Sequence, residues 1–213
     1  MRVKPILVTG FEPFGGDSVN PSALVAQASH GHAIDGVPVI GIVLPCVFGA
    51  AGDVLREALN VHRPQLVLAL GLAVGRSGFS LERIAINVDD ARMPDNAGAQ
   101  PIDSPVIPGA AAARFTTLPV KAMVAALRQA GHPAEVSNSA GTFVCNHVFY
   151  ALQHALQRRR SVRSGFMHLP LLPEPSQGQP SLTLASMIDG TRLALATALK
   201  IREDVRVTEG ALH

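Results

Sequence analysis

The sequence predicts an α/β protein, a single-domain open sandwich in which a mixed, mainly parallel sheet is flanked by helices on both faces. Short apolar runs of strand length alternate with segments of helical periodicity along all 213 residues. Hydrophobic residues make up 47% of the chain and aromatic residues only 4%, so aliphatic side chains must fill the interior, as in a sheet covered by helices. No repeat or linker interrupts the alternation, which predicts one domain over 1–213.

The first half of the chain opens on a short continuous apolar run, which predicts a buried strand. A Gly/Pro-rich loop follows, and apolar residues at helical spacing then resume. Further along, residues 81–88 alternate apolar with polar side chains, which is typical of a half-exposed strand. The elements predicted here are, in order, strand 6–8, loop 10–21, helix 21–28, strand 37–44, helix 49–61, strand 66–70 and strand 81–88.

The second half begins with residues 89–110, which are rich in Pro, Asp and Gly and predict a long loop of the kind that belongs to sites or interfaces. After this loop the alternation of helix and strand resumes. The predicted elements are, in order, helix 119–130, strand 134–137, helix 144–157, strand 162–168 and helix 182–200. Because sites in such sheets collect at the carboxyl ends of the strands, we expect chemistry in the loops that follow them.

Charge and cysteine content argue against several classes of function. Lys and Arg number 18 against 16 acids, so no electrostatic surface for nucleic acid is expected. The longest apolar run, 66–74, is far shorter than the roughly 20 residues of a membrane helix. Two cysteines are too few for a disulfide scaffold, and neither they nor the histidines have the spacing of a zinc site. We expect a cytoplasmic protein with reduced thiols and with no metal, nucleic-acid or membrane partner.

Cys145 is the strongest candidate for chemistry. The segment 138–146, Asn-Ser-Ala-Gly-Thr-Phe-Val-Cys-Asn, leads from a predicted strand through a Gly-containing turn into a helix. In the first helical turn, unpaired N–H groups and the helix dipole favour a thiolate and stabilise an oxyanion. The alternative is a buried structural cysteine. Cys46 lacks this context and is expected to pack in the interior.

Thiol chemistry also needs a base and a group that orients it. His168 ends an apolar strand and can reach the same sheet edge as Cys145. Glu82, flanked by apolar residues, is the candidate orienting carboxylate, and an edge-strand ion pair with Arg83 is the alternative. Arg92, in the long loop, can bring positive charge to the site or pair with an Asp of the same loop.

The loop after the first strand carries two aromatic residues, Phe11 and Phe14, between Gly and Pro. It has neither Gly-Lys-Ser/Thr nor Gly-x-Gly-x-x-Gly, so a phosphate-binding loop is not expected. Aromatic rings in a polar loop of an aromatic-poor chain favour the wall of an apolar pocket. A rigid turn is the alternative.

Blocks of sequence spread over nearly the whole chain carry a family resemblance. They include Thr-Gly-Phe-Glu-Pro-Phe-Gly-Gly at 9–16 and Gly-Phe-Met-His-Leu-Pro at 165–170. The others are 20–22, 82–87, 90–96 with 100–101, 137–138, 144–146 and 172–174. Together these blocks resemble the pyroglutamyl peptidase I (pyrrolidone-carboxylate peptidase) family of cysteine exopeptidases.

The resemblance implies a Cys-His-Glu triad, with Cys145 as nucleophile, His168 as base and then acid, and Glu82 orienting the imidazole. The implied reaction is hydrolysis of the bond after an amino-terminal pyroglutamyl residue of a peptide, through a thioester and without metal or cofactor. Arg92 matches a family arginine close to the oxyanion. The residues implied around the lactam ring are Phe11, Phe14, Asn20, Leu72, Phe143 and Val144. The family also implies an open α/β sandwich and a cytosolic homotetramer.

Leu72 departs from the family, since many members have Gln at this position. The loss of a polar side chain beside the pocket is expected to weaken ring recognition without changing the reaction class. Two other functions stay open: a cysteine hydrolase of the same fold that acts on a different amide or ester, and a non-catalytic protein that keeps the pocket for binding.

Overall fold

The secondary structure follows the predicted alternation over residues 3–174 and 178–210, the part of the chain that the computed structural model describes. The strands are β1 Ile6–Phe11, β2 Ala33–Ile34, β3 Val37–Leu44, β4 Leu66–Leu72, β5 Phe79–Glu82, β6 Ile84–Ile86, β7 Ala113–Phe115, β8 Ala134–Ser137 and β9 Arg163–Leu169. The helices are α1 Pro21–Ser29, α2 Ala50–His62, α3 Val120–Gln129, α4 Val144–Leu156 and α5 Leu184–Lys200.

Seven of these strands form one sheet in the order β2-β3-β1-β4-β9-β5-β8. Strands β3, β1, β4 and β9 run parallel to one another, whereas β5 runs antiparallel to β9 and β8 runs parallel to β5. Strands β6 and β7 pair separately as a short antiparallel ribbon. The prediction of a mixed, mainly parallel sheet is confirmed.

Helices cover both faces of the sheet and bury two separate apolar clusters. Helices α1, α3 and α5 pack on one face, and α2 and α4 pack on the other. Side chains along β4 alternate between the two clusters: Leu68 and Leu70 belong to the α1/α3/α5 face, whereas Val67 and Ala69 belong to the α2/α4 face. This layering confirms the predicted open sandwich and defines which face any β4 residue serves.

Strands β1 and β4 are longer than the predicted strands 6–8 and 66–70. The prediction ended both strands too early because a glycine, Gly10 in β1 and Gly71 in β4, interrupts the apolar run. A Cβ on Gly10 would lie 2.1 Å from the carbonyl oxygen of Ser22, so α1 packs directly on the backbone of β1. Glycine inside these strands marks close approach of another element, and not the start of a loop.

The predicted half-exposed strand 81–88 is wrong. Residues 79–82 form β5, which is buried at every position in the main sheet, and only β6 shows the half-exposed alternation. Strands β2 and β7 escaped prediction because two and three residues are too few to show a period.

The predicted long loop is present, since the described chain between β6 and β7 has no helix or strand and only an isolated bridge from Asp89 to Ser104. Within residues 3–174 and 178–210, no helix has both the length and the apolar character needed to cross a membrane.

Candidate active site

His168 and Glu82 form a buried pair in the middle of the sheet. Glu82 on β5 is the register partner of Phe166 on β9, and Phe166 and His168 are two residues apart, so all three side chains point to the α2/α4 face. Nδ1 of His168 lies 2.8 Å from Oε1 of Glu82, and the two side chains are 5% and 0% exposed. Because a carboxylate only accepts hydrogen bonds, this contact leaves Nε2 of His168 as the free acceptor of the ring.

Cys145 is the second residue of α4, and the N-cap residue Phe143 makes no side-chain cap there. The first N–H groups of the helix have no partner within it. The neighbouring Asn146 fixes this turn: its Nδ2 donates to the carbonyl oxygens of Ile86 and Val88, each at 2.9 Å, and its Oδ1 accepts from the N–H of Ile86 at 3.0 Å. The position of the sulfur is therefore tied to β6 as well as to α4.

Gly71 connects Cys145 to the histidine. Gly71 on β4 is the register partner of His168, and adjacent strands lie about 4.8 Å apart. A Cβ on Gly71 would lie 2.8 Å from Sγ of Cys145 and 2.8 Å from the ring of Phe166. The sulfur therefore lies over the bare backbone next to His168, on the face to which Glu82 also points.

Replacing Gly71 by Ala is expected to displace the sulfur and to slow alkylation of Cys145 by iodoacetamide about tenfold or more, because the added methyl group occupies the space of Sγ. The measurement is the alkylation rate at Cys145 by mass spectrometry, with thermal unfolding as a check on folding. Gly52→Ala is the matched control, since a Cβ there meets only ordinary contacts from 3.6 Å outward. Equal alkylation rates in a folded Gly71→Ala variant and the wild type would contradict this placement.

The surroundings of the Cys145 thiol disfavour its ionisation. Burial raises its pKa above the usual range, and the neighbouring Cys46 and Glu82 raise it further. The expectation of a lowered pKa from the helix start is wrong, because desolvation of the charged form outweighs the partial charge of the helix terminus. His168, whose Nδ1 contacts Glu82, projects from the same face of the sheet as the sulfur of Cys145.

Cys46 packs in the interior, as predicted. It lies in the α2/α4 cluster, and burial, with the charges of Glu12 and Asp95, raises its pKa to about 12. Its backbone N–H donates to Oε1 of Glu12 at 3.0 Å, which ties the loop after β3 to the loop after β1.

Aromatic rings gather beside the start of α4. The ring of Phe14 lies 5.8 Å from that of Phe143, and Phe48 meets Phe143 edge-on at 5.3 Å. Phe48 was missed by the sequence argument, although it is an aromatic residue in the loop after a strand, the signal that pointed to Phe14. Phe11 and Val144 are fully buried and support this group from the interior.

Asn20 is used inside the protein. It is the N-cap of α1, its Oδ1 accepts from the N–H and the hydroxyl of Ser22, and its Nδ2 donates to the carbonyl oxygen of Glu12 at 3.2 Å. These bonds shape the loop that carries Phe14, so Asn20 contributes to the site by holding that loop.

Leu72 presents its backbone, and not its side chain, to the site. By the alternation along β4, its side chain shares the face of Leu68 and Leu70, opposite to Gly71 and Cys145. The expectation that a polar side chain is lost beside the pocket is therefore not supported, since any side chain at this position would start from the other face.

The seam between β1 and β4 opens at this point, because the pairing of the two strands stops before β4 ends at Leu72. The N–H of Ala73 donates to Leu169 on β9, so the peptide groups of Leu72 point to the opposite edge, toward β1. The N–H of Phe11, which a continued ladder would use, donates instead to Oγ of Ser22 at 3.0 Å. The peptide groups of Leu72 therefore lie beyond the last register pair of β1 and β4, on the edge that faces β1.

Arg92 is exposed in the long loop. Within the described ranges its guanidinium makes no ion pair or side-chain hydrogen bond, and so it does not pair with an Asp of its own loop. That loop is bonded to the turn before α4, since the N–H of Asp90 donates to the carbonyl oxygen of Thr142 at 2.9 Å and Oγ1 of Thr142 donates back to Asp90 at 2.7 Å. The loop that carries Arg92 is thus attached to the turn before α4 through Asp90.

Arg76 was also missed, and it faces Glu82 from the loop between β4 and β5. Its Nη2 lies 3.9 Å from Oε1 of Glu82 and its Nη1 lies 2.6 Å from Oε1 of Glu135. Arg83, the predicted alternative partner of Glu82, donates instead to the carbonyl oxygen of Glu209. The alternative of an edge-strand ion pair between Glu82 and Arg83 is therefore wrong.

A second buried imidazole is structural. Nδ1 of His147 lies 2.8 Å from Oδ2 of Asp89, and its Nε2 accepts from the N–H of Gly49 at 3.1 Å, so both ring nitrogens are occupied. His154, seven residues on, lies beside Arg114. Over the ranges that the structure describes, no group of three or more His, Cys, Asp or Glu side chains is placed to hold a metal ion.

Comparison with known proteins places this geometry in context. Residues 4–201 match the family described as pyroglutamyl peptidase. The chain is 50% identical over 214 residues to the pyrrolidone-carboxylate peptidase of Erwinia tasmaniensis, covering 99% of this chain and 100% of that protein. It is 53% identical over 213 residues to that of Cupriavidus taiwanensis, covering 98% and 99%.

The fold is also similar to that of solved structures. The crystal structure of pyroglutamyl peptidase I from Bacillus amyloliquefaciens superposes with a TM-score of 0.94 at 39% identity, covering 97% of this chain and 100% of that chain. A mutant pyrrolidone carboxyl peptidase from Pyrococcus furiosus superposes with a TM-score of 0.89 at 41% identity, covering 92% and 98%.

Proposed function

This chain belongs to the pyroglutamyl peptidase family, and from that premise we propose that Cys145, His168 and Glu82 carry out its reaction. The protein is a cysteine exopeptidase that hydrolyses the bond after an amino-terminal pyroglutamyl residue of peptides. The observation that supports the triad best is the bare backbone of Gly71, which lies beside His168 and under the sulfur of Cys145, while Glu82 holds the other side of the imidazole.

The reaction begins with transfer of the thiol proton of Cys145 to Nε2 of His168. The sulfur bonds to the pyroglutamyl carbonyl carbon, and the tetrahedral intermediate collapses as the peptide amine leaves with the proton from His168. Water then attacks the thioester, gives its proton to His168, and releases pyroglutamate while the sulfur regains a proton. Glu82 keeps the imidazole in one tautomer and stabilises the imidazolium that forms in each half of the cycle.

The N–H groups at the start of α4 are the donors for the oxyanion, because they lack a helical partner and a side-chain cap and adjoin the sulfur. Arg92 adds positive charge from the loop that is bonded to Thr142. The N–H donors and the Cys145 sulfur belong to the same turn of helix. The oxyanion that forms when the sulfur attacks therefore lies close to these N–H groups.

Recognition of the lactam follows from the open seam at Leu72. A pyroglutamyl ring has a cis amide whose N–H and C=O lie side by side, and the N–H and C=O of Leu72 form a complementary pair at the β1 edge. The rings of Phe14 and Phe143 provide an apolar wall for the methylene groups. An ordinary amino terminus carries an ammonium group, whose charge the rings of Phe14 and Phe143 do not neutralise.

The wild-type protein, kept reduced, is expected to hydrolyse a pyroglutamyl fluorogenic amide with a kcat/KM at least about 100-fold above that for the matched prolyl amide, because the prolyl ring lacks the lactam carbonyl and leaves the N–H of Leu72 unpaired. The measurement is the initial rate for both amides, with and without prior alkylation. Cleavage of the prolyl amide with the pyroglutamyl amide intact would indicate a cysteine hydrolase of different specificity. Binding of pyroglutamate without turnover of any amide would indicate a binding protein.

We also propose that residues 1–213 form one catalytic domain that works in the cytoplasm as a homotetramer, without metal or cofactor. The family resemblance supports the assembly and the compartment, and a continuous sheet with one site supports the single domain. Light scattering on the purified protein tests the tetramer, and a monomer at working concentration would contradict it.

A further inference from the structure

Among the described residues, Arg76 is the cation that pairs with the Glu82 carboxylate, with Nη2 3.9 Å from Oε1. We propose that Arg76 is a positioning residue, which keeps Glu82 charged and aimed at His168 so that the imidazole keeps its free Nε2 toward Cys145. The inference rests on the proposed function. It adds Arg76 to the three proposed catalytic residues as a fourth residue, which acts only through Glu82.

The buried carboxylate of Glu82 needs a compensating positive charge. Glu82 is fully buried, and its Oε2 has no hydrogen-bond partner among the described residues. A buried carboxylate is costly unless a positive charge or donors compensate it. One bond from the imidazole to Oε1 is modest compensation, and the guanidinium of Arg76, 3.9 Å from the same oxygen, is the neighbouring full positive charge.

The Arg76 side chain is itself held in place by residues of β5 and β8. Its Nη1 lies 2.6 Å from Oε1 of Glu135 and 3.1 Å from Oγ of Ser80, and its Nη2 donates to Oγ of Ser137 at 3.2 Å. Ser80 pairs in register with Glu135 and Glu82 pairs with Ser137, so these anchors lie on the same face as Glu82. The planar guanidinium is thus held by residues of β5 and β8, and the Arg76 side chain is only 27% exposed.

The charge of Glu82 determines which tautomer the imidazole of His168 adopts. If Glu82 takes up a proton, it becomes a donor to Nδ1, and the ring proton then sits on Nε2, where His168 cannot accept from the thiol. The ionisable groups that face Glu82 are His168 from β9, Cys145 from α4 and Arg76, behind which Glu135 lies on β8. Arg76 is the permanent cation in this set, so its removal makes the Glu82–His168 pair take up a proton at a higher pH.

The test compares Arg76→Gln, Arg76→Lys and Glu135→Gln with the wild type over about pH 5 to 9. The first readout is kcat/KM for the pyroglutamyl amide, and the second is the rate of Cys145 alkylation. In Arg76→Gln we expect the acid limb of both profiles to move up by about one pH unit. Arg76→Lys, which keeps the charge, is expected to return the limb toward the wild-type position. Glu135→Gln removes a negative charge and is expected not to move the limb upward.

A loss by the same factor at every pH in Arg76→Gln would show a merely structural role and overturn the proposal. An upward shift in Glu135→Gln equal to that of Arg76→Gln would also overturn it, since the shift would then follow the network and not the charge. If Arg76→Gln does not fold, Arg76→Lys decides, because a lysine that shifts the limb as far as about one pH unit contradicts a charge effect. Should the wild type leave the pyroglutamyl amide intact, the proposed function fails, while the alkylation profiles still test Arg76.

Discussion

Cys145→Ala is expected to lower kcat/KM for a pyroglutamyl amide by a factor on the order of 10⁴–10⁶, because it removes the atom that forms the thioester. The substitution takes away one sulfur at the start of α4 and leaves the turn held by Asn146 and its bonds to β6. The fold and the binding of pyroglutamate are therefore expected to persist. The measurements are kcat/KM, thermal unfolding and the affinity for pyroglutamate by calorimetry.

Cys46→Ala is the matched control for this prediction. Both changes remove one thiol, but Cys46 packs in the α2/α4 cluster, so its loss is expected to lower the free energy of unfolding by about 1–2 kcal/mol and to keep kcat/KM within about tenfold. Retained activity in Cys145→Ala, together with inactivity in a folded Cys46→Ala, would exchange the roles of the two cysteines and refute the assignment.

Glu82→Gln is expected to lower kcat for the same amide by about 10³–10⁴-fold while the fold is kept, because the amide can donate to Nδ1 of His168. The ring proton then moves to Nε2, and the imidazole loses its capacity to accept from Cys145. The carboxylate is 2.8 Å from Nδ1 and completely buried, so water cannot restore the lost acceptor.

The tautomer itself can be measured, since the two imidazole nitrogens give separate ¹⁵N signals. Glu135→Gln is the matched control: it makes the same change in a carboxylate that contacts Arg76, and at most about a tenfold loss in kcat is expected. A Glu82→Gln variant that keeps the proton on Nδ1 and retains full activity would rule out the orienting role.

Each of the three proposed catalytic residues has a local signal in the sequence. Cys145 follows a Gly-containing turn into a helix, and His168 ends an apolar strand. Glu82 is an acid in an apolar segment, although its strand was misjudged: β5 is buried in the main sheet because β9, which follows it by many residues in the chain, pairs with it. The two paired strands are far apart in the sequence, so the periodicity of residues 81–88 cannot reveal their pairing.

The same limit explains what the sequence argument missed. Arg76 meets Glu82 and Glu135 only because β5 lies between β9 and β8, an order that local patterns do not define. The direction of the Cys145 pKa was mistaken for a related reason, because the backbone of Gly71, over which the sulfur lies, belongs to β4, and the charges of Cys46 and Glu82 also come from distant parts of the chain. The helix start is visible in the sequence, whereas the desolvation is not.

The opening of the β1–β4 seam at Leu72 has a consequence for how the protein tolerates genetic change. A ligand recognised by a main-chain N–H and C=O is insulated from most substitutions at that residue, because every amino acid except proline supplies both groups. With the lactam bound as proposed, an exchange of Gln for Leu at this position is expected to leave its recognition by the main chain unchanged.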